Sequence, residues 1–122
     1  MSDRFEKGAA LIRRLFKRDI SNSGLPPDIL RHTVEHVFGD VWQGTALAVE
    51  ERSMITCAVL VALGREHEQR VHFRGARNLG IPREKIEAVI HHVLHYAGWP
   101  TGISAARVLA EVWDEMDKEE GK

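Results

Sequence analysis

Cysteine is nearly missing from the chain, with one residue, Cys57, in 122. That excludes an intrachain disulfide and a C-x-x-C redox pair, and leaves Cys57, inside an apolar run, as a small buried hydrophobe. An excess of charge of one sign is also missing. The formal net charge is −1, so no broad basic face exists for a phosphate backbone. The one basic run, Arg13 to Arg18, is flanked by Asp3, Glu6 and Asp19 and reads as a solvated helix face. No apolar stretch is long enough to span a bilayer, and the acidic amino end does not resemble a signal peptide. A soluble cytoplasmic protein is expected, with neither nucleic acid nor membrane as partner. There is no glycine-rich phosphate loop, no G-x-S-x-G elbow and no H-E-x-x-H or Cys/His ligand set, so neither metal nor organic cofactor is expected.

Strand-like alternation is almost absent too, and turn signals divide the chain into helices. An amphipathic helix is expected over Asp3 to Asp19, with Gly8 as its weak point. Pro26 and Pro27 start a short second helix that reaches Phe38. An irregular link, "GDVWQGTAL", leads to a third helix from Glu50 to Leu63, closed by Gly64. A fourth runs from Arg65 to Leu79, a fifth from Pro82 to Ala97, and a last one from Pro100 into a charged tail. The expectation is an all-α single domain of about six helices covering residues 1–122. The third helix is apolar on nearly every side from Met54 to Leu63. A helix apolar all round is buried all round, and a chain this short has few elements to wrap one. A second subunit is expected to cover the remaining face.

The stretch "GREHEQRVHFRG" carries the candidate chemistry. At about 100° per residue, Glu68, His72, Gly75, Ala76 and Leu79 fall on one face, and Arg65 projects toward it from the first turn. Arg70, Arg74 and Arg77 point elsewhere and read as solvent or rim residues. Glu68 and His72 stand one turn apart among small and apolar neighbours. Burial of that carboxylate is costly without a partner, and the imidazole supplies one, gaining proton affinity in return. Spacing alone leaves open a structural pair or a catalytic one. Arg52 lies in the first turn of the apolar helix, where the helix dipole disfavours a cation. It calls for a carboxylate, from Glu68 or from a ligand.

Other histidines repeat the four-residue spacing without a full ligand set. His91 and His95, with His92 between them, sit away from the apolar side of their helix, and a polar face is preferred over a metal site. His32 and His36 are similar. Tyr96 and Trp99 flank the Gly98 turn and either line a pocket or pack between helices.

The succession "ERSMITCAVLVALGREHEQRVHFRGARNLGIPREKIEAVIHHVLHYAGWP", between "FGDVWQGTAL" and "SAARVLAEVW", resembles the carboxymuconolactone decarboxylase family. The resemblance implies an alkylhydroperoxidase D-like helical fold assembled into dimers and usually hexameric rings. It implies cofactor-independent decarboxylation of 4-carboxymuconolactone or a related lactone acid in aromatic-acid catabolism by the beta-ketoadipate route. Glu68 and His72 match the family's active-site glutamate and histidine, and Arg52 matches a family arginine. Arg65, Tyr96 and Trp99 are the candidate substrate-binding residues. In the thiol peroxidase branch a C-x-x-C pair precedes the histidine. Here Arg65 and Glu68 hold those places, so no thiolate is supplied there. Thr45 and Ala46 replace a usual proline-glycine pair and Ala97 a frequent cysteine, which leaves substrate choice open. A cofactor-free lactone isomerase or hydrolase and a non-enzymatic helical assembly protein are the alternatives.

Overall fold

A computed structural model describes residues 2–19 and 23–122 of the chain. The described residues are mostly helical, with no strand among them. They form two compact units, residues 1–49 and residues 50–122.

In the first unit, α1 spans Asp3–Phe16 and α2 spans Pro27–His32, continuing as a π-helical stretch over Thr33–Phe38. The Ser2 hydroxyl caps α1 by accepting from the Phe5 amide, and Asp3 and Glu6 complement the helix dipole. The helix ends earlier than expected, because Lys17 takes the left-handed conformation at φ 53°. Ala9, Ile12 and Leu15 turn one face of α1 onto Val34 and Phe38, with Phe16 edge-on to Phe38. Gly8, a weak point by propensity, has a packing reason. A Cβ there would stand 2.0 Å from the Val34 carbonyl oxygen, so only glycine lets the two helices approach this closely. A short 3₁₀ turn over Val41–Gln43 follows, held by the Gln43 side chain donating to Phe38 O at 2.8 Å.

The second unit contains α3, which begins at the boundary (Val49–Leu63), α4 (Glu66–Asn78), α5 (Arg83–Ala97) and α6 (Trp99–Glu119). Its core collects Cys57 and Val61 from α3, Phe73 and Ala76 from α4, Ile86 and Ile90 from α5, and Ala105 to Met116 from α6. Gly98 links α5 to α6 at φ 115°, a conformation side chains rarely adopt. Within the single chain α3 is not covered on every side, which leaves the face that a second subunit is expected to cover. Ile55, Val59 and Leu63, spaced four apart, are 50, 49 and 65% exposed. Only the stripe of Ser53, Cys57 and Val61 is buried. Arg70, Arg74 and Arg77, expected as solvent or rim residues, lie at the partly exposed edge of α4 and are held there in ion pairs. Arg70 pairs with Glu111; Arg74 pairs with Glu115 at 3.1 Å and Glu119 at 2.8 Å. Arg77 reaches Asp117 at 2.7 Å, Glu120 at 3.1 Å and the Trp113 carbonyl at 3.2 Å, with its guanidinium over the Trp113 ring. The acidic end of α6 is therefore ordered helix tied to α4, where the sequence reads as a fading tail.

Candidate active site on helix α4

Helix α4 opens at Arg65, whose backbone is non-helical at φ −89° and ψ 79°, and whose side chain is exposed. Glu66 and Glu68 occupy the first turn, where the positive end of the helix dipole favours carboxylates. His72 follows one turn after Glu68. It is half-buried, on a segment whose neighbours Gln69, Phe73, Gly75 and Ala76 are buried. The Cys57 thiol lies 3.7 Å from the His72 carbonyl oxygen, which joins α3 to α4 at this turn. Two turns of α4 thus grade from wet to dry, with Glu68 at the wet end and His72 at the dry one.

That gradient corrects the expected electrostatics. Glu68 is exposed, not buried, because it sits at the outer turn of its helix. It still acts on His72 through its charge. Burial nevertheless outweighs this attraction and pushes the imidazole down from 6.5 to about 4, while Glu68 pulls upward. His72 is consequently neutral at neutral pH, contrary to the raised proton affinity expected of the pair. Cys57 is also neutral, since burial pushes its thiol up to about 12. It is no nucleophile in this state.

Arg52 is half-buried in the first turns of α3, with its Nε enclosed and its carbonyl accepting from the Thr56 hydroxyl at 2.8 Å. It lies on the same helix as Cys57, the residue that meets α4 at His72. Tyr96 and Trp99 are placed differently. Tyr96 is 83% exposed and packs on His92 at 5.3 Å, in an open groove of about 480 Å³ walled by Ala58, Val59, Ala62 and Val93. Trp99 is half-exposed and meets the edge of His95 at 5.9 Å. Their ring contacts are with α5 imidazoles. His91 and His95 stack edge to face at 5.2 Å, and the described residues hold no group of metal-ligating side chains. Among residues the sequence reading passed over, Gln69 stands out. It is fully buried, with its Nε2 donating to Leu60 O at 3.1 Å. Its signal was present: an amide one position beyond Glu68, on the wheel between His72 and the apolar side.

The family model of the carboxymuconolactone decarboxylase family matches residues 27–111. The chain belongs to that family. Its all-α architecture is the alkylhydroperoxidase D-like one expected of a member. The 4-carboxymuconolactone decarboxylase of Acinetobacter baylyi is 38% identical over 79 residues, 65% of this chain and 59% of that protein. The match thus spans about three fifths of that relative's length. The nitrosuccinic acid decarboxylase of Metarhizium robertsii is 29% identical over 130 residues, covering 92% of this chain and 91% of that protein. Peroxisomal protein 2 of Saccharomyces cerevisiae is 34% identical over 64 residues, 23% of its own length. The α3 and α4 residues Arg52, Glu68 and His72 all fall inside the family match.

Proposed function

We propose that this protein is a cofactor-independent decarboxylase acting on 4-carboxymuconolactone or a related lactone acid. The observation that carries this reading is the placement of His72. It is a half-buried, charge-depleted imidazole one turn from an exposed carboxylate, within the segment matched by a decarboxylase family. In such a substrate the bond from the ring to the carboxylate carbon breaks and CO₂ leaves. The electron pair passes through the ring double bond to the lactone carbonyl oxygen. The substrate is its own electron sink, so the chain has only to hold an anion, stabilise a dienolate and return one proton to carbon.

His72 delivers that proton. It enters neutral, and an arriving dianion adds negative charge beside it, which together with Glu68 draws a proton onto the ring before transfer. Arg52 stabilises the leaving carboxylate and then the enolate oxygen, a role that strengthens where water is excluded. Arg65, at the exposed start of α4, holds the substrate's second acid group. Tyr96 and Trp99 contribute only where another subunit brings them to the site. We place the working form as a homo-oligomer, supported by the bare apolar stripe of Ile55, Val59 and Leu63.

A second reading has its own support. The nitrosuccinic acid decarboxylase matches this chain along nearly its whole length. A carboxylate on a carbon bearing a nitro group loses CO₂ by the same logic, with the nitro group receiving the electrons. Purified protein incubated in parallel with 4-carboxymuconolactone and with nitrosuccinate separates the two by ultraviolet loss and CO₂ release. Turnover of the lactone supports the first reading, and turnover of nitrosuccinate alone replaces it with the second. Loss of lactone without CO₂ marks an isomerase or hydrolase. No reaction of either leaves a non-enzymatic assembly protein.

A further inference from the structure

Helix α3 carries its exposed apolar residues in a self-matching order. Ile55, Val59 and Leu63 are spaced four apart, with Val59 in the middle. Turning the stripe end over end about Val59 lays Ile55 on the place of Leu63, so the stripe is complementary to a reversed copy of itself. Alongside it runs the groove between α3 and α5, with Ala58, Ala62 and Ala97 in its walls and the exposed Tyr96 ring at its edge. Small walls of this kind admit a ring from a neighbour. At about 200 Å² for a tyrosine and somewhat less for each aliphatic side chain, the exposed parts of these residues come to about 500 Å² per copy. Two copies then bury about 1,000 Å², the size at which a specific interface begins.

A two-fold contact on this stripe has two forms, with the α3 helices parallel or antiparallel, and the charges beyond its ends distinguish them. Glu51 and Arg52 stand in the first turns of α3, while Arg65 and Glu66 follow its other end at the exposed start of α4. In the parallel form Arg52 faces Arg52 and Glu51 faces Glu51, like charge on like. In the antiparallel form, equal steps outward from Val59 bring Arg52 opposite the partner's Glu66, with Glu51 near the partner's Arg65. Opposite charges then meet at both ends. The axis of that form crosses both α3 helices, so α5 stays on one side in each copy and the two grooves face each other. We infer that two copies pack α3 on α3 antiparallel about Val59, each Tyr96 ring in the other's groove, and that Arg65 of the partner subunit completes each site at Arg52. This rests on the homo-oligomer and the arginine roles proposed above, and adds which copy supplies which guanidinium.

Cysteine cross-linking of the full chain tests the contact. Val59→Cys, on the axis, should give a disulfide-linked dimer under mild oxidation, while the parent, whose one cysteine is buried, should give none. Ile55→Cys and Leu63→Cys should not link singly, since each lies about 12 Å along the helix from its own copy. Co-expressed, they should link to each other at least about tenfold above either alone. Co-expressed Arg52→Gln and Arg65→Gln chains test the shared site. They should recover about a quarter of parent turnover, because half of random pairs are mixed and one site in each mixed pair keeps both arginines. Val59→Cys unlinked in an intact oligomer, Ile55→Cys linked to itself, or mixed arginine variants no more active than either alone would each overturn the inference and leave the oligomer standing. A parent that sediments as a monomer would remove the oligomer and the inference together. A parent inactive on both acids would overturn the decarboxylase reading and the shared site with it, while the cross-links still decide the contact.

Discussion

The two sides of the α3–α6 unit solve opposite problems. Where α4 faces α6, three arginines meet five carboxylates, and Arg77 is further held by the Trp113 carbonyl and ring. Where α3 and α5 face outward, the surface is Ile55, Val59, Leu63 and Tyr96, with an open groove between. Polar side chains complete the first side within one chain. Apolar side chains leave the second exposed, and it is the face proposed above as the subunit contact. Helix position bears on the proposed site as well. Glu68 and His72 lie on α4, the helix anchored on both sides of its axis, which fixes the imidazole against a rigid support.

The contrast can be broken most severely on the apolar side. Val59→Asp buries nothing new in the single chain, yet places a charge in the middle of the proposed subunit contact. The association constant should fall by at least about a thousandfold, consistent with a desolvated unpaired charge costing several kcal/mol. Sedimentation should then show a monomer that keeps its helical circular dichroism. A parent protein already monomeric at tens of micromolar would remove the oligomer from the account.

Next in size is the titration of His72. Its folded-state value, about 4, lies below the ordinary 6.5, so the neutral ring favours the fold. That contribution is complete above pH 6.5 and is lost as pH falls through about 4. It amounts to no more than the order of 3 kcal/mol. The parent should therefore lose stability against urea between these pH values more steeply than His72→Phe does. Superimposable slopes would show the ring to be solvated. Third, Arg77→Ala should cost about 1–3 kcal/mol, because it strips bonds from a side chain only 13% exposed. The smallest effect belongs to Arg74→Ala, about 1 kcal/mol or less and fading in high salt, since its partners are half-exposed. Equal losses at the two positions would deny that Arg77 is the anchor.

Much of this was legible in the residues. Pro26, Gly64, Pro82 and Gly98 mark helix boundaries by backbone chemistry alone, and the helix limits follow them closely. The four-residue step from Glu68 to His72 is equally local. What sequence could not supply was the surroundings. A helical wheel assigns a face but not a depth, so Glu68 and His72 looked alike when one is wet and the other mostly dry. The pairing of Arg70, Arg74 and Arg77 with residues some forty positions away depends on α6 lying alongside α4, which no local pattern contains. The apolar run of α3 signals a need for burial, but hydrophobicity does not report which chain provides it. Gly8 looked like a propensity flaw until the Val34 carbonyl appeared 2.0 Å from its missing Cβ.

The most direct measurement is turnover of 4-carboxymuconolactone by His72→Ala, followed as CO₂ release alongside the parent in the same assembly state. If this imidazole returns the proton to carbon, the rate falls at least about a hundredfold. A rate within about threefold of the parent, well below the hundredfold or more typical of a lost general acid, would contradict a chemical role for His72.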